Sequence, residues 1–392
     1  MKQSNRILHF IAITLSIINS LFLYKYLSRV SHLAPVITIA YFVFFSSLPL
    51  LVKRINLRFI KVFSLIAFTL YILIVIAVYV KTDANDFRVD RASAIVNFWD
   101  SALKGIYPYS AETHIAGSYQ FASPMLLVIA FPFYLLKELG ILSLTGFLLL
   151  LLHLFRKYRD HSSRYIVLFV TLFSPMVAWE LIVRSNLVMN MALMLLTMHF
   201  IDRKNLKAVS TSITSGILFG LLLSTRSVLA IPIALWYAHV YIRTRMFRQA
   251  IICGAVLTVT FGLTLAPFAL WDFQQFTTHN PLLFQSSFMP LSFSLFFIVA
   301  AFFQGLFLQN HEAMYRQIGS NLLLCIGTYS VVKIVVYGFS TAYFDSAIDL
   351  SYYLIPYCFL LSAVPQSAET HLTAGATVRS SASEAVSRTH SE

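Results

Sequence analysis

The amino-acid sequence predicts an all-α membrane protein, a polytopic bundle of about 12 transmembrane helices. Of its 392 residues, 58% are hydrophobic, only 11% are charged, and the mean hydropathy is +0.75. Soluble domains carry about 25% charged residues, and the deficit here runs along nearly the whole chain. Helices are the default in hydrocarbon because unpaired backbone groups are costly there. This composition argues against a disordered chain, a nucleic-acid-binding protein and a secreted disulfide scaffold.

Apolar stretches follow one another along the chain, and most are long enough to cross a ~30 Å hydrocarbon core at ~1.5 Å per residue. They cover residues 7–23, 33–52, 59–80, 123–155, 165–183, 187–201, 213–225, 228–242, 250–271, 291–308, 318–339 and 351–364. The short stretches 187–201 and 213–225 need tilting or shelter from neighbouring helices. Stretch 7–23 follows a charged start without a cleavage site, which indicates a retained first span.

The distribution of Lys and Arg predicts the topology. Four basic clusters fall on one side if the N-terminus is cytoplasmic, namely 53–61, 156–164, 203–207 and 243–248. Parity then requires Ser123–Leu136 to be a partial, outer-leaflet helix. The prediction is a multi-pass cell-membrane protein with 12 crossings and both termini inside; 13 crossings with an exterior C-terminus is the alternative, at about 20 residues per span.

Residues 1–365 are predicted to form one transmembrane domain, with a first exterior loop at 81–122 and a second at 272–290. The tail 366–392 is rich in Ser, Ala and Thr and has too few large apolar residues to pack, so it is predicted to be disordered. The three cysteines each lie inside an apolar run, which predicts buried free thiols and no disulfide framework. They are Cys253, Cys325 and Cys358.

Acids and arginines collect at the predicted exterior helix ends, whereas the cytoplasmic side carries basic clusters and little else. The exterior group contains Glu180, Arg184, Arg226, Asp272 and His279. An ionised group inside hydrocarbon is costly unless it is paired or hydrated, so this collection predicts a site at the membrane surface. The alternative is that exterior loops are simply polar.

The first exterior loop carries the most specific motif. It reads Asn-Asp86-Phe-Arg-Val-Asp90 and continues with Gly105-Ile-Tyr-Pro-Tyr109. This pattern resembles the GT-C glycosyltransferases, and within them glycosyltransferase family 87, the polyprenol-phosphate-mannose-dependent mannosyltransferases. The resemblance implies a polytopic enzyme that takes a sugar from a polyprenyl-phosphate carrier at the exterior, periplasmic face. It places Asp86 at the catalytic acid and Gly105, Pro108 and Tyr109 in the family's turn, while Asp90 replaces an aromatic residue usual in that family.

The chemistry of glycosyl transfer favours the same residues. The reaction needs a base for the acceptor hydroxyl and a cation for the departing phosphate. Asp86 follows an apolar helix by six residues, and Asp90 is expected one helical turn further on the same face. The two carboxylates are interpreted as base and orienter, or as metal ligands; the alternative is a helix N-cap with a solvated acid.

An amphipathic helix is predicted between Asp90 and Lys104, because apolar residues recur there at helical spacing. They are Ala94, Ile95, Phe98, Trp99 and Ala102. We expect this helix to lie on the bilayer surface.

Two arginines are the predicted phosphate ligands, because a guanidinium binds phosphate with two parallel hydrogen bonds and stays ionised. For Arg184 the alternative is a pair with Glu180, and for Arg226 it is interfacial snorkelling. The second exterior loop, with Asp272, His279 and Gln285, suits a sugar pocket. His279 is a candidate for proton transfer or phosphate binding, although an exposed loop histidine is more often incidental. Tyr109 and Glu180 complete the predicted substrate-binding set.

No metal or other cofactor is expected, since the sequence has no metal-binding spacing. The absence of a Gly-rich phosphate loop argues against a soluble nucleotide donor and favours a lipid-linked one. The predicted partners are a polyprenyl-phosphate-linked sugar, membrane lipids, and a glycan, lipid or protein acceptor. Two alternatives stay open. A transporter or flippase of lipid-linked saccharides would favour paired repeats and broken helices. A polysaccharide polymerase or ligase is the other, although such proteins tend to place the functional loop late in the chain.

Overall fold

The computed structural model describes residues 2–365, apart from positions 88, 120, 121, 159, 309, 346 and 347. The predicted disordered tail, 366–392, lies outside the described residues. The described chain is helical throughout and contains no β-strand; an isolated antiparallel bridge joins Glu112 and Tyr119. The predicted all-α class is therefore confirmed for this part of the chain.

Long apolar helices open the fold, and each covers one of the predicted stretches. They are α1 (Lys2–Leu27), α2 (Ala34–Arg54) and α3 (Leu57–Lys81). The side chain of Asn56 caps α3 by accepting a hydrogen bond from the backbone N–H of Arg58, which fixes the turn between α2 and α3.

The segment between α3 and the next apolar helix contains the predicted amphipathic helix, α4 (Arg91–Leu103), flanked by 3₁₀ turns at Ala84–Asp86 and Pro108–Ser110. The predicted contact of α4 with the bilayer is wrong. Ile95 and Phe98 are fully buried in a cluster of apolar side chains. The cluster also contains Ala92, Tyr109, Leu126, Leu127, Leu142 and Met189. The apolar face of α4 is therefore covered by protein.

The stretch 123–155 splits as predicted, into α5 (Pro124–Leu135) and α6 (Gly140–Lys157). Lys137 adopts the left-handed conformation at the break, with φ of 58°. At about 1.5 Å per residue α5 is too short to cross a ~30 Å core alone.

The stretch 165–183 also splits, although the sequence predicts one span. Its two helices, α7 (His161–Leu172) and α8 (Pro175–Ile182), are bent by 58° at Ser174. Pro175 has no N–H to continue the first helix, and the Ser174 side chain caps the second by accepting from Val177. The break tilts α8 and its Glu180 away from the α7 axis.

The middle of the chain continues with α9 (Leu187–Asp202), α10 (Val209–Leu223), a 3₁₀ turn at Ser227–Leu229, α11 (Ala230–Tyr237) and a π-turn at Ala238–Ile242. The last part contains α12 (Phe247–Trp271), α13 (Phe273–Thr278), α14 (Pro281–Phe288), α15 (Leu291–Phe307), α16 (His311–Tyr337), α17 (Phe339–Phe344), a 3₁₀ turn at Leu350–Tyr353 and α18 (Leu354–Leu361).

Six described helices are long and apolar enough to cross a membrane, or seven if the bent α7–α8 pair is one span. Large apolar side chains are exposed on α2, α3 and α12, as lipid-facing helices require. The predicted membrane protein with several long apolar helices is supported by this count. The cysteines are free and buried, as predicted.

Close helix packing depends on small residues at several crossings, as is common in membrane bundles. Gly146 of α6 lies against α9, and a Cβ added there would come within 2.5 Å of the backbone of Met189. Gly262 of α12 has open space instead, with no atom within 4 Å of an added Cβ.

We expect Gly146→Ala to lower the free energy of unfolding by about 1–3 kcal/mol, because α6 and α9 must separate to admit the methyl group. Gly262→Ala is the matched control and should be neutral or slightly stabilising, since alanine is the better helix former. Thermal unfolding of both variants in detergent measures the difference. Equal stability of the two variants would contradict this packing.

Candidate functional site

Polar side chains of the bundle collect at its two ends. The end at which α3 stops and residues 81–122 begin is called the loop end. At the opposite end Lys157 lies over the ring of Tyr315, and Asp202 accepts a hydrogen bond from Trp236. The two predicted exterior loops meet at the loop end, where the Tyr107 hydroxyl donates to the carbonyl of His279 at 3.3 Å.

Asp86, the predicted base, is exposed to solvent at the loop end. It ends the 3₁₀ turn, and its Oδ2 accepts a hydrogen bond from the backbone N–H of Asp83 at 2.9 Å, while Asp83 caps the same turn. The following residue, Phe87, packs its ring edge-on against Trp179 with centroids 6.0 Å apart. The carboxylate is thus held at a defined place beside α8 and is open to a ligand.

Asp90 does not share a helix face with Asp86, and that prediction is wrong. Asp86 belongs to the 3₁₀ turn, whereas Asp90 immediately precedes α4, with a bend of the chain between them. Asp90 Oδ2 accepts a hydrogen bond from Ser118, so the carboxylate joins the start of α4 to a later part of the same loop. Its contact with Ser118 favours positioning of the loop over direct catalysis.

Arg184 is buried and contacts a different carboxylate from the one considered in the sequence. Its Nε donates to Glu138 at 2.9 Å, and Nη2 donates to the carbonyls of Tyr79 and Thr82 at 3.1 and 2.8 Å. The residue adopts the left-handed conformation, with φ of 55°, just after α8. These contacts tie the end of α3 to the α5–α6 break, which favours a structural role. The alternative pair of Arg184 with Glu180 is wrong.

Glu180 is instead paired with Arg91, a residue that the sequence interpretation missed. Arg91 Nη1 lies 2.5 Å from Glu180 Oε2 and 2.8 Å from Ser185 Oγ, and Nη2 lies 2.7 Å from Asp349 Oδ2. Glu180 is 0% exposed and Arg91 6%, whereas Asp349 is 41% exposed. This ion network fastens α4 to α8 and to the segment that precedes α18.

Electrostatics within the network favour the ionised state of Arg91, its central member, and of Asp349. Burial alone would lower the pKa of Arg91, but Glu180 and Asp349 outweigh it and raise the pKa. Desolvation alone would raise the pKa of Asp349, but Arg91 and the backbone N–H of Ser351 outweigh it and lower the pKa. Only the position of Arg91 at the start of an amphipathic helix hinted at this role in the sequence.

Arg226 lies at the loop end just after α10 and is buried. Its Nη2 donates to Asn186 Oδ1 at 2.9 Å, and its Nη1 donates to the hydroxyl of Tyr352 at 3.2 Å. One turn below Asn186, the amide of Asn190 is fully buried and has no hydrogen-bond partner among the described residues. Because Arg184 is paired with Glu138, Arg226 is kept as the candidate phosphate ligand.

Gln285 joins the second loop to the neighbourhood of Arg226. Its Oε1 accepts from the backbone N–H of Ser227 at 3.0 Å, and its Nε2 donates to Ser123 Oγ at 2.9 Å. The amide therefore bridges α14, the start of α5 and the turn after α10.

The other predicted residues of the second loop have mainly local contacts. Asp272 caps α13 by accepting from the N–H of Gln275 at 2.9 Å. Burial and nearby Asp272 raise the pKa of Tyr107 to about 12, so this phenol stays protonated. His279 is half-buried and its Nδ1 lies 3.0 Å from Thr278 Oγ1. The contact between the two loops is therefore the hydrogen bond from the Tyr107 hydroxyl to the carbonyl of His279.

Tyr109, predicted to contact substrate, lies within the protein with 0% of its side chain exposed. Its ring packs edge-on against Phe98 and Phe268, and its hydroxyl donates to the carbonyl of Ala122 at 3.3 Å. The preceding turn uses Gly105 at φ of 75°, a conformation that glycine adopts without strain. The turn therefore anchors the first loop to the bundle.

Comparison of the chain with protein-family models, with curated proteins and with solved structures finds no match. Among the described residues, no three His, Cys, Asp or Glu side chains form a group that could hold a metal ion.

Proposed function

We propose that this protein is an integral membrane glycosyltransferase of the GT-C type, which moves a sugar from a polyprenyl-phosphate carrier to an acceptor at the periplasmic face. The observation that carries the proposal is the assembly of the loop end. There the exposed carboxylate of Asp86 lies on one loop, and a second polar loop is hydrogen-bonded to the first through Tyr107 and His279. A lipid-linked donor and a water-soluble acceptor can meet only at such a boundary.

The proposed reaction is a single displacement with inversion. Asp86 removes the proton of the acceptor hydroxyl, the oxygen forms a bond to the anomeric carbon, and the bond from that carbon to the phosphate oxygen breaks. The electron pair stays on the leaving polyprenyl phosphate. The Asp86 proton then passes to water. Mannose is the sugar that the motif around Asp86 and Tyr109 favours, with a glycan, lipid or protein as acceptor.

The proposed topology has 12 crossings with a cytoplasmic N-terminus, which places the loop end in the periplasm. Seven spans are obtained when α7 and α8 form one bent span. Five of the six shorter apolar helices supply the rest, while α5 stays within one leaflet. Neighbouring helices shelter the short spans.

Arg226 is proposed to hold the carrier phosphate during transfer. We expect Arg226→Gln to lower kcat/KM for the carrier by about 10- to 100-fold, because a charge-assisted hydrogen bond contributes about 1.5–3 kcal/mol. Arg226→Lys should retain part of the activity, since it keeps the charge without the two-pronged geometry. Steady-state kinetics with a labelled carrier measure both. Arg248 is an exposed arginine at the end opposite the loop end, and Arg248→Gln is the control. Unchanged kinetics of Arg226→Gln would contradict the assignment.

The proposed function is tested with purified protein in proteoliposomes that contain labelled polyprenyl-phosphate-mannose, with glycan, lipid and protein acceptors outside. We expect mannose on an acceptor and an equal amount of free polyprenyl phosphate.

A transporter of lipid-linked saccharides is the second candidate, because the bent α7–α8 pair and the buried Glu180 are features of broken transporter helices. In the same proteoliposomes it would move labelled carrier between leaflets without any transfer to acceptor. That outcome would reject the glycosyltransferase.

A further inference from the structure

An open apolar groove lies between α1 and α2 and has a volume of about 250 Å³. The lining residues on α1 recur every three or four positions, so they share one face of that helix, and residues of α2 form the other side. The lining side chains are Ile17, Ser20, Leu21, Tyr24, Thr38 and Phe42. Both helices are long and apolar enough to cross the membrane, so the groove faces lipid.

Two small polar side chains, Ser20 and Thr38, line the otherwise apolar groove. Ser20 is 8% exposed, and neither its hydroxyl nor that of Thr38 has a hydrogen-bond partner among the described residues. A buried hydroxyl without a partner is costly, so these two donors favour an occupant that can accept a hydrogen bond. A saturated acyl chain offers none, whereas each isoprene unit of a prenyl chain carries a π bond that accepts a weak hydrogen bond.

The size and depth of the groove suit part of a prenyl chain. A cavity of about 150 Å³ holds benzene, so 250 Å³ corresponds to about ten carbons, or two isoprene units. From Ile17 to the end of α1 the helix rises about 15 Å, which is half of a ~30 Å core. The groove therefore occupies the leaflet next to the loop end.

The charge of Arg29 lies at the loop end of α1, connected to the groove through Phe344 and Tyr24. The ring of Tyr24 packs against Phe344, whose carbonyl accepts a hydrogen bond from Arg29 Nη2 at 2.6 Å. Arg29 is exposed, and its guanidinium lies over the ring of Tyr26, 5.0 Å from the centroid. An anionic headgroup attached to a chain in the groove would meet this guanidinium.

Aromatic contacts lead from this charge to the candidate base. Tyr26 packs on Trp179 with centroids 4.8 Å apart, and Trp179 meets Phe87, the residue after Asp86. The end of α1 therefore adjoins the loop that carries Asp86.

We propose that the α1–α2 groove binds the first isoprene units of the polyprenyl carrier, with Arg29 receiving the carrier phosphate at the membrane surface before Arg226 holds it for transfer. The proposal rests on the proposed function for the identity of the carrier. It assigns to α1 and α2 a donor-binding role for which the sequence motifs give no indication.

The test is photolabelling in proteoliposomes with polyprenyl phosphate that carries a diazirine on its first isoprene unit, followed by peptide mapping. We expect labels on α1 and α2. Ile17→Trp should reduce labelling at least fivefold by filling the groove, whereas Ile39→Trp, at an exposed position outside the lining, should leave it unchanged. Thr38→Leu adds a smaller side chain than Trp to the groove and should also reduce labelling.

Two further arms separate the phosphate and the chain. Arg29→Gln should weaken labelling several-fold, while Arg6→Gln, at an exposed arginine near the other end of α1, should not. Excess unlabelled polyprenyl phosphate should compete, but phosphatidylglycerol with saturated chains should not. Labelling that resists Ile17→Trp and Thr38→Leu, or that phosphatidylglycerol removes equally, would overturn the proposal. Specific labelling without any sugar transfer would leave the groove assignment standing and reject the proposed function.

Discussion

Replacement of Asp86 by alanine is expected to slow sugar transfer by about 10²–10⁴-fold, the usual contribution of a positioned general base. The carboxylate is exposed at the loop end, and its one described hydrogen bond is with the N–H of Asp83. Asp86→Asn should lose almost as much activity, because an amide keeps the shape of the side chain but does not accept the acceptor's proton. KM for the carrier should change little in both variants.

Asp83 provides a matched control for the structure of the turn. The two aspartates cap the same 3₁₀ turn reciprocally, so Asp83→Ala removes as much of the cap as Asp86→Ala does. Loss of the cap costs about 0.5–2 kcal/mol of stability in either variant. Single-turnover transfer rates should therefore fall in Asp86→Ala and stay near wild type in Asp83→Ala. Equal rates in the two variants would show that Asp86 only caps the turn.

The ion network around Arg91 is expected to give the largest stability effect. Arg91→Ala leaves Glu180 buried with its ion-pair partner gone, and breaking a buried pair in this way costs about 3–5 kcal/mol. Asp349→Ala should cost much less, because the Asp349 side chain is 41% exposed and water can replace it as a partner of Arg91. Thermal and chemical unfolding in detergent measure the free energy of unfolding of the wild type, Arg91→Ala and Asp349→Ala.

A double replacement separates the charge from the contact. Arg91→Met with Glu180→Gln removes both charges and keeps similar volumes, so most of the lost stability should return. Similar stability losses in Arg91→Ala and Asp349→Ala would contradict the burial of the pair. A double variant as unstable as Arg91→Ala would show that packing of Arg91, rather than its charge, holds α4 in place.

The positions of the long helices could be predicted well from the sequence, because a lipid-facing span needs an unbroken run of apolar residues. Stretches 7–23 and 59–80 lie within α1 and α3, and α2 covers the stretch 33–52 apart from Leu33. The split of 123–155 followed from Lys137 and Glu138. Stretch 165–183 was predicted as one span, and the bend at Ser174 became clear only when the directions of α7 and α8 were known.

The contacts of the charged side chains were not predictable from spacing along the chain. Arg91 is 89 residues from Glu180 and 258 from Asp349, so no local pattern connects them. Arg184 stands four residues after Glu180, but its left-handed backbone turns it towards Glu138. The apolar face of α4 has the same periodicity whether lipid or protein covers it.

The sequence by itself determined that the chain is an all-helical protein with several long apolar helices. These properties follow from the free energy of placing each residue in hydrocarbon or water, which depends on residue type and local run length. Tertiary structure alone decided which carboxylate Arg91 and Arg184 meet, that protein covers the apolar face of α4, and that a groove lies between α1 and α2. Those outcomes depend on distances between residues far apart in the chain, and only packing of the helices sets such distances.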